Sequence, residues 1–137
     1  MPDYLFVYGT LRKNYDLKLK DQVKDKLQYV GQAKIGAVLY DLGRYPGAVK
    51  SKGEREVVGD VFLLNDPVRV LRILDKYEGI PEKAASTAEF VRKKGRVRLR
   101  SGRQVIAWIY WYNRDPKERK PIRYKDYLNY LKNKSIS

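Results

Sequence analysis

Tyr4-Leu5-Phe6-Val7-Tyr8-Gly9-Thr10-Leu11-Arg12 is the stretch whose reading decides the fold. Its first five residues are continuously apolar and aromatic, the pattern of a strand buried on both faces. Gly9 ends the run and turns the chain. A glycine at a strand end leaves the backbone open to close approach, so the N–H groups that follow are available to a carboxylate or carbonyl oxygen. Arg12 adds charge at the rim of that loop.

Outward from this strand, residues 15–29 carry Leu17, Leu19, Val23 and Leu27 among Lys and Asp, a poor helical pattern that fits one short helix within a loop. Strands are predicted at residues 33–42 and 48–49, separated by Gly43-Arg44-Tyr45-Pro46-Gly47, where glycine and proline enforce a turn. Another follows at residues 57–64. The best signalled helix spans about residues 66–77. Asn65 or Asp66 caps it, Pro67 sits in its first turn, Gly79 supplies the terminating glycine, and Pro81 blocks continuation. Val68, Leu71 and Leu74, joined by Val70 and Tyr77, form its expected apolar face. Beyond Glu89 the pattern predicts three strands, at residues 90–91, 97–99 and 105–112, with turns at Lys94-Gly95 and Ser101-Gly102. Residues 124–132 carry Tyr124, Tyr127, Leu128 and Leu131 at helical spacing. Strands interspersed with two or three helices define an α+β domain whose sheet is able to close into a barrel. At 137 residues the chain is expected to be one domain over 1–137 with a single core.

Composition removes most familiar chemistry. With no His and no Cys, there is no Ser-His-Asp or Cys-His system, no imidazole or thiolate zinc site and no CxxC redox pair. No glycine-rich phosphate loop follows a strand, and no acidic cluster has metal-binding spacing. The expectation is therefore a protein without cofactor or metal, whose chemistry uses carboxylate, amine, phenol or hydroxyl. No leader-like segment or long apolar run occurs, so a soluble, cytoplasmic protein without membrane contact is expected. Thirty Lys and Arg against 16 Asp and Glu give a formal charge of +14. Nucleic-acid binding is one reading of that excess. No nucleic-acid motif accompanies it, and a solvated surface of the kind common in proteins from hot environments is the expectation instead.

Glu78, in Leu74-Asp75-Lys76-Tyr77-Glu78-Gly79, is the candidate catalytic group. A carboxylate at a helix C-terminus faces the negative end of the helix dipole, a local conflict worth a few tenths to about 1 kcal/mol. Such conflicts mark functional positions, and the same field raises the carboxyl pKa toward values useful to a general base.

The pair Tyr8-Gly9-Thr10-Leu11-Arg12 and Tyr77-Glu78-Gly79 resembles the γ-glutamylcyclotransferase-like superfamily, which includes γ-glutamylamine cyclotransferases and AIG2-like proteins. Tyr45-Pro46-Gly47, Gly59-Asp60-Val61-Phe62, Glu89-Phe90-Val91-Arg92 and Ala107-Trp108-Ile109-Tyr110 extend the resemblance over most of the chain. It implies a mixed β-barrel with flanking helices and a cavity receiving the Tyr8–Arg12 loop and Glu78. The implied reaction is an intramolecular acyl transfer on a small γ-glutamyl substrate, releasing 5-oxoproline and an amine. Glu78 would then be the acid/base, with Tyr8, Gly9, Thr10, Leu11, Arg12 and Tyr45 as substrate contacts. Phe90 stands where many members have Tyr, so a hydroxyl from Tyr45, Tyr77 or Tyr110 is expected in its place. The alternatives are a non-catalytic small-molecule binding module on the same fold, and a nucleic-acid binder using Arg96, Arg98, Arg100 and Arg103. These arginines alternate with Val97 and Leu99 on one strand and have no aromatic residue among them.

Overall fold

A computed structural model describes residues 2–9, 23–43, 45–53, 55–77, 88–123 and 125–134. Among these residues, seven strands and two α-helices run in the order β1 (Asp3–Val7), β2 (Leu27–Asp41), β3 (Pro46–Lys50), β4 (Glu56–Leu64), α1 (Pro67–Tyr77), β5 (Phe90–Leu99), β6 (Gln104–Tyr112), β7 (Lys120–Ile122) and α2 (Tyr127–Lys134). The strand path β2-β4-β1-β6-β5 closes on itself where Ala33 and Lys34 of β2 pair with Leu99 and Arg98 of β5. The result is a five-stranded barrel. It is mixed, because β1 runs parallel to β6 through Tyr4↔Ala107 and Leu5↔Trp108 while the other pairings are antiparallel. Closure satisfies the ladder groups that an open sheet would leave unpaired. β3 and β7 both pair with the far half of β2, outside the closed ring.

The apolar run of β1 explains itself in this architecture. Phe6 and Tyr8 point into the barrel with Ala33, Ile35, Val57, Val61, Val97 and Ile109. Leu5 and Val7 point the other way, where they meet Val70, Leu71 and Leu74 of α1. A strand between two buried layers has no solvent face to be polar on. Gly59 of β4 lets the layers close: a Cβ there would lie 2.3 Å from the Val7 carbonyl oxygen and 2.5 Å from Cζ of Phe6.

The helix at 66–77 forms as expected, with the Asp66 carbonyl accepting the first helical bond from the Val70 N–H at 3.1 Å. Its buried face is Val70, Leu71 and Leu74, whereas Val68 is 70% exposed. Val68 precedes Val70 by about 200° of helical rotation, so it falls on the opposite side once the face centres on residues 70–74. Two strand expectations also change. β5 continues through Lys94-Gly95, where Lys94 pairs with Trp108 and Gly95 with Ala107 instead of turning. A Cβ on Gly95 would sit 3.0 Å from Cδ1 of Ile109, so this glycine serves close packing. β2 begins at Leu27, taking residues 27–29 from the predicted helical segment, with a 3₁₀ turn at Lys24–Lys26 just before it; residues 15–22 of that segment lie outside the described residues. Partner strand β4 and the bulge between Tyr29 and Gly31 override weak local propensity.

α2 contributes Tyr127 and Tyr130 to the barrel core. Asp126 caps it, accepting the Leu128 N–H at 2.9 Å. The Tyr130 hydroxyl donates to Asp41 Oδ2 at 2.7 Å. That bond, with burial and the Asp41 charge, pushes the Tyr130 pKa up to about 12 from its usual 10. The folded state thus holds a proton that the unfolded chain releases above pH 10, so this contribution is full below pH 10 and is lost as pH rises toward 12. Urea titrations between pH 9 and 12 are expected to show a steeper alkaline loss of stability for wild type than for Tyr130→Phe; parallel curves would sink the assignment.

Candidate functional site

The end of β1 is tied to its neighbours by one phenol. The buried Tyr8 hydroxyl donates to the Tyr110 carbonyl at 2.5 Å and accepts the Ala48 N–H at 3.2 Å, joining β1 to β6 and β3. Gly9 follows directly and faces Pro46: a Cβ on Gly9 would stand 3.2 Å from Cγ of Pro46. Gly47 in turn lies under Tyr112, where a Cβ would come within 3.0 Å of the tyrosine Cβ. Two sequence motifs far apart in the chain, at Tyr8-Gly9 and Tyr45-Pro46-Gly47, are therefore in contact, and small residues at the junction are what allow it.

Aromatic rings frame this junction. Tyr45 is 39% exposed, and its ring lies 5.8 Å from that of Phe90, which packs edge-on to Tyr112 at 6.0 Å. The Tyr45 hydroxyl donates to the Glu89 carboxylate. A phenolic hydroxyl thus stands beside Phe90, supplied by the residue that precedes β3.

A second network anchors the end of α1. Asp75, in its last turn, receives Nε of Arg92 at 2.8 Å and Nη2 at 3.1 Å, a bidentate pair, and the Tyr110 hydroxyl at 2.7 Å. A carboxylate in the last turn opposes the helix dipole, and the guanidinium offsets it. Arg92 is held from its other side by the Trp108 ring, 4.3 Å from its central carbon, and the Trp108 indole N–H donates to Asp3 at 3.2 Å. Tyr110 is common to both networks: its carbonyl receives Tyr8 and its hydroxyl serves Asp75. The strand end that leads into the glycine loop and the helix end that leads into Glu78 are thereby fixed to the same residue. Asp75→Asn is expected to cost about 1–2 kcal/mol in urea unfolding, with Arg92→Lys falling between, since lysine keeps the charge and loses the fork. Equal stability of all three proteins would show the pair to be solvated.

Of the expected site residues, the structure brings Tyr8, Gly9 and Tyr45 around one junction; Thr10, Leu11, Arg12 and Glu78 lie outside the described residues. Asp75 and Arg92 were given no part by the sequence, although both fall inside quoted motifs, and Tyr110 entered only as one of three tyrosines expected to supply a hydroxyl in place of Phe90. Among the described residues, no group of three or more Asp or Glu is arranged to hold a metal ion. Nor is any helix long and apolar enough to cross a membrane.

This barrel, with its junction of strand end, proline-glycine turn and helix end, defines a class, and comparison with known proteins identifies it. Residues 5–129 match the family model described as gamma-glutamyl cyclotransferase, AIG2-like, and the chain belongs to that family. A Methanocaldococcus jannaschii protein provisionally named gamma-glutamylcyclotransferase is 31% identical over 113 residues, covering 80% of this chain and 84% of its own. Among solved structures, YkqA of Bacillus subtilis superposes with a TM-score of 0.73 at 23% identity, covering all of this chain, which spans 44% of YkqA. A mouse AIG2-like protein superposes with a TM-score of 0.67 at 20% identity, covering 85% of this chain and 81% of its own. At those identities the two structures speak for the fold.

Proposed function

We propose that this protein is a γ-glutamyl cyclotransferase acting on a small γ-glutamyl compound, with Glu78 as general acid/base. The observation that carries the reading is the convergence on Tyr110 of the segments leading into Gly9 and Glu78, in a chain of this family. The reaction asks little of a protein. The substrate's own α-amine attacks its γ-carbonyl, forming the lactam C–N bond; the tetrahedral intermediate then collapses with cleavage of the original amide bond. The amine loses a proton on attack and the departing amine gains one, so a single carboxylate accepts and returns it. Intramolecular attack supplies proximity without a second reactant. Backbone N–H groups of residues 9–11 are assigned to the oxyanion and the substrate carboxylate. Tyr8, committed to Tyr110 and Ala48, positions that loop, and the part-exposed Tyr45 contributes a hydroxyl at its edge.

The test is 5-oxoproline release from a panel of γ-glutamyl amino acids and γ-glutamyl amines. Turnover of one class well above the other would name the leaving group. Silence across the panel would overturn the enzymatic reading in favour of a binding module on this fold.

A further inference from the structure

Part of the excess positive charge lies in a row along one face of the barrel. α1 covers the outer face formed by β4, β1 and the near half of β6, through Leu5, Val7, Phe62, Leu64, Tyr110 and Tyr112. The face formed by β5, β2 and the far half of β6 carries the exposed side chains of Lys34, Lys94, Arg96, Arg98 and Ile106, with Trp108, partly buried against the α1-side cluster, at its border. Along β5, Lys94, Arg96 and Arg98 are exposed while Val97 and Leu99 are buried, so the cations form one row. Arg100 extends it, its N–H bonding the Gln32 carbonyl at 3.0 Å.

Register carries the row sideways. Arg98 pairs with Lys34, Lys34 with Val58, and the Val58 N–H bonds the Lys125 carbonyl at 2.8 Å. There Arg55, Arg123 and Lys125 line a groove of about 380 Å³. Among the described residues, Lys34, Arg96, Arg100, Arg55, Arg123 and Lys125 make no ion pair, while the carboxylates along the path are engaged. Glu56 holds Arg98 at 2.6 Å, Asp60 is buried against Tyr29, and Asp126 caps α2. The row from Lys94 to Arg100 alone is about 20 Å long at strand rise, more than one small anion fills. β6 also supplies what β5 lacks in sequence: Trp108 stands opposite Lys94, its ring 4.9 Å from Nζ, and the 53% exposed Ile106 stands opposite Arg96.

The geometry points to a track for single-stranded nucleic acid, with Lys34, Arg96 and Arg100 on phosphates and the Ile106–Trp108 edge against bases. This is independent of the cyclotransferase reading. The experiment is fluorescence anisotropy with labelled 20-nucleotide single-stranded RNA and DNA and matched duplex, at 50 to 200 mM salt. With about five phosphates neutralised, affinity for single strands is expected to fall roughly 10²-fold over that range. The triple variant Lys34→Ala/Arg96→Ala/Arg100→Ala is expected to flatten the logarithmic salt slope by about 2, with thermal unfolding unchanged. Arg69→Ala/Arg72→Ala, exposed on the far side of α1, is the control and should bind as wild type. Absence of binding at 50 mM salt would overturn the proposal. So would tighter binding of duplex, equal loss in the control variant, or binding of phosphatidylserine vesicles without oligonucleotide binding.

Discussion

Glu78→Gln is expected to lower kcat for 5-oxoproline release by about 10²–10⁴-fold while leaving KM within a few-fold of wild type. Glutamine keeps the size and hydrogen-bonding capacity of the side chain and removes its ability to take a proton from the attacking amine. The loss should therefore fall on the chemical step and not on binding. Stability should not suffer. The residue follows directly on α1, and removing a negative charge beyond a helix C-terminus is neutral to slightly favourable. Steady-state kinetics on the best panel substrate, beside thermal unfolding of both proteins, checks both halves. A mutant retaining more than a tenth of wild-type kcat would move the proton transfer to another group. A mutant with a collapsed melting temperature would make its activity uninterpretable and call for Glu78→Asp, which keeps the carboxylate and shifts its reach.

The largest effect on stability belongs to Gly59→Ala. The new Cβ would stand 2.3 Å from the Val7 carbonyl oxygen, and that atom belongs to the strand paired across from it through Val7↔Asp60. A side-chain neighbour could rotate away; a ladder carbonyl moves only by prising β1 from β4 or spoiling its bonds. Phe6, whose ring is 2.5 Å from the same point, is one of the most buried residues in the barrel and has nowhere to go. The expected cost is about 3 kcal/mol or more, at the upper end for overpacked cores and a large share of the 5–15 kcal/mol total of an ordinary domain. In a thermal scan that is on the order of 10 °C. Gly53→Ala is the matched control, because its nearest contact is the Ser51 hydroxyl at an ordinary 3.5 Å. Near-equal urea midpoints for the two variants would mean that the β1–β4 spacing relaxes freely.

What the sequence determined by itself lies where the cause is local. The run Tyr4–Tyr8 announces a strand buried on both sides because every residue in it is apolar, and the structure divides it between the barrel and α1. Asp66, Pro67 and the residues after Tyr77 mark a helix because caps and breakers act within a turn. Glu78 stood out because it opposes the helix dipole, and the glycine loop because it opens the backbone at a strand end; together with the other motifs they carried the family resemblance. Tertiary structure decided whatever depends on partners distant in the chain. Lys94-Gly95 reads as a turn in isolation, yet pairing with β6 holds it extended. Leu27 to Tyr29 read as weak helix until β4 supplies a ladder. Closure rests on Ala33 and Lys34 meeting Leu99 and Arg98, a contact no local pattern encodes. Asp75 acquires its role from Arg92, 17 residues on, and from Tyr110, 35 residues on. Local propensities are worth a few tenths of a kcal/mol per residue, whereas a buried ladder and a satisfied charge are worth several times that, so the fold settles such positions and the sequence around them does not.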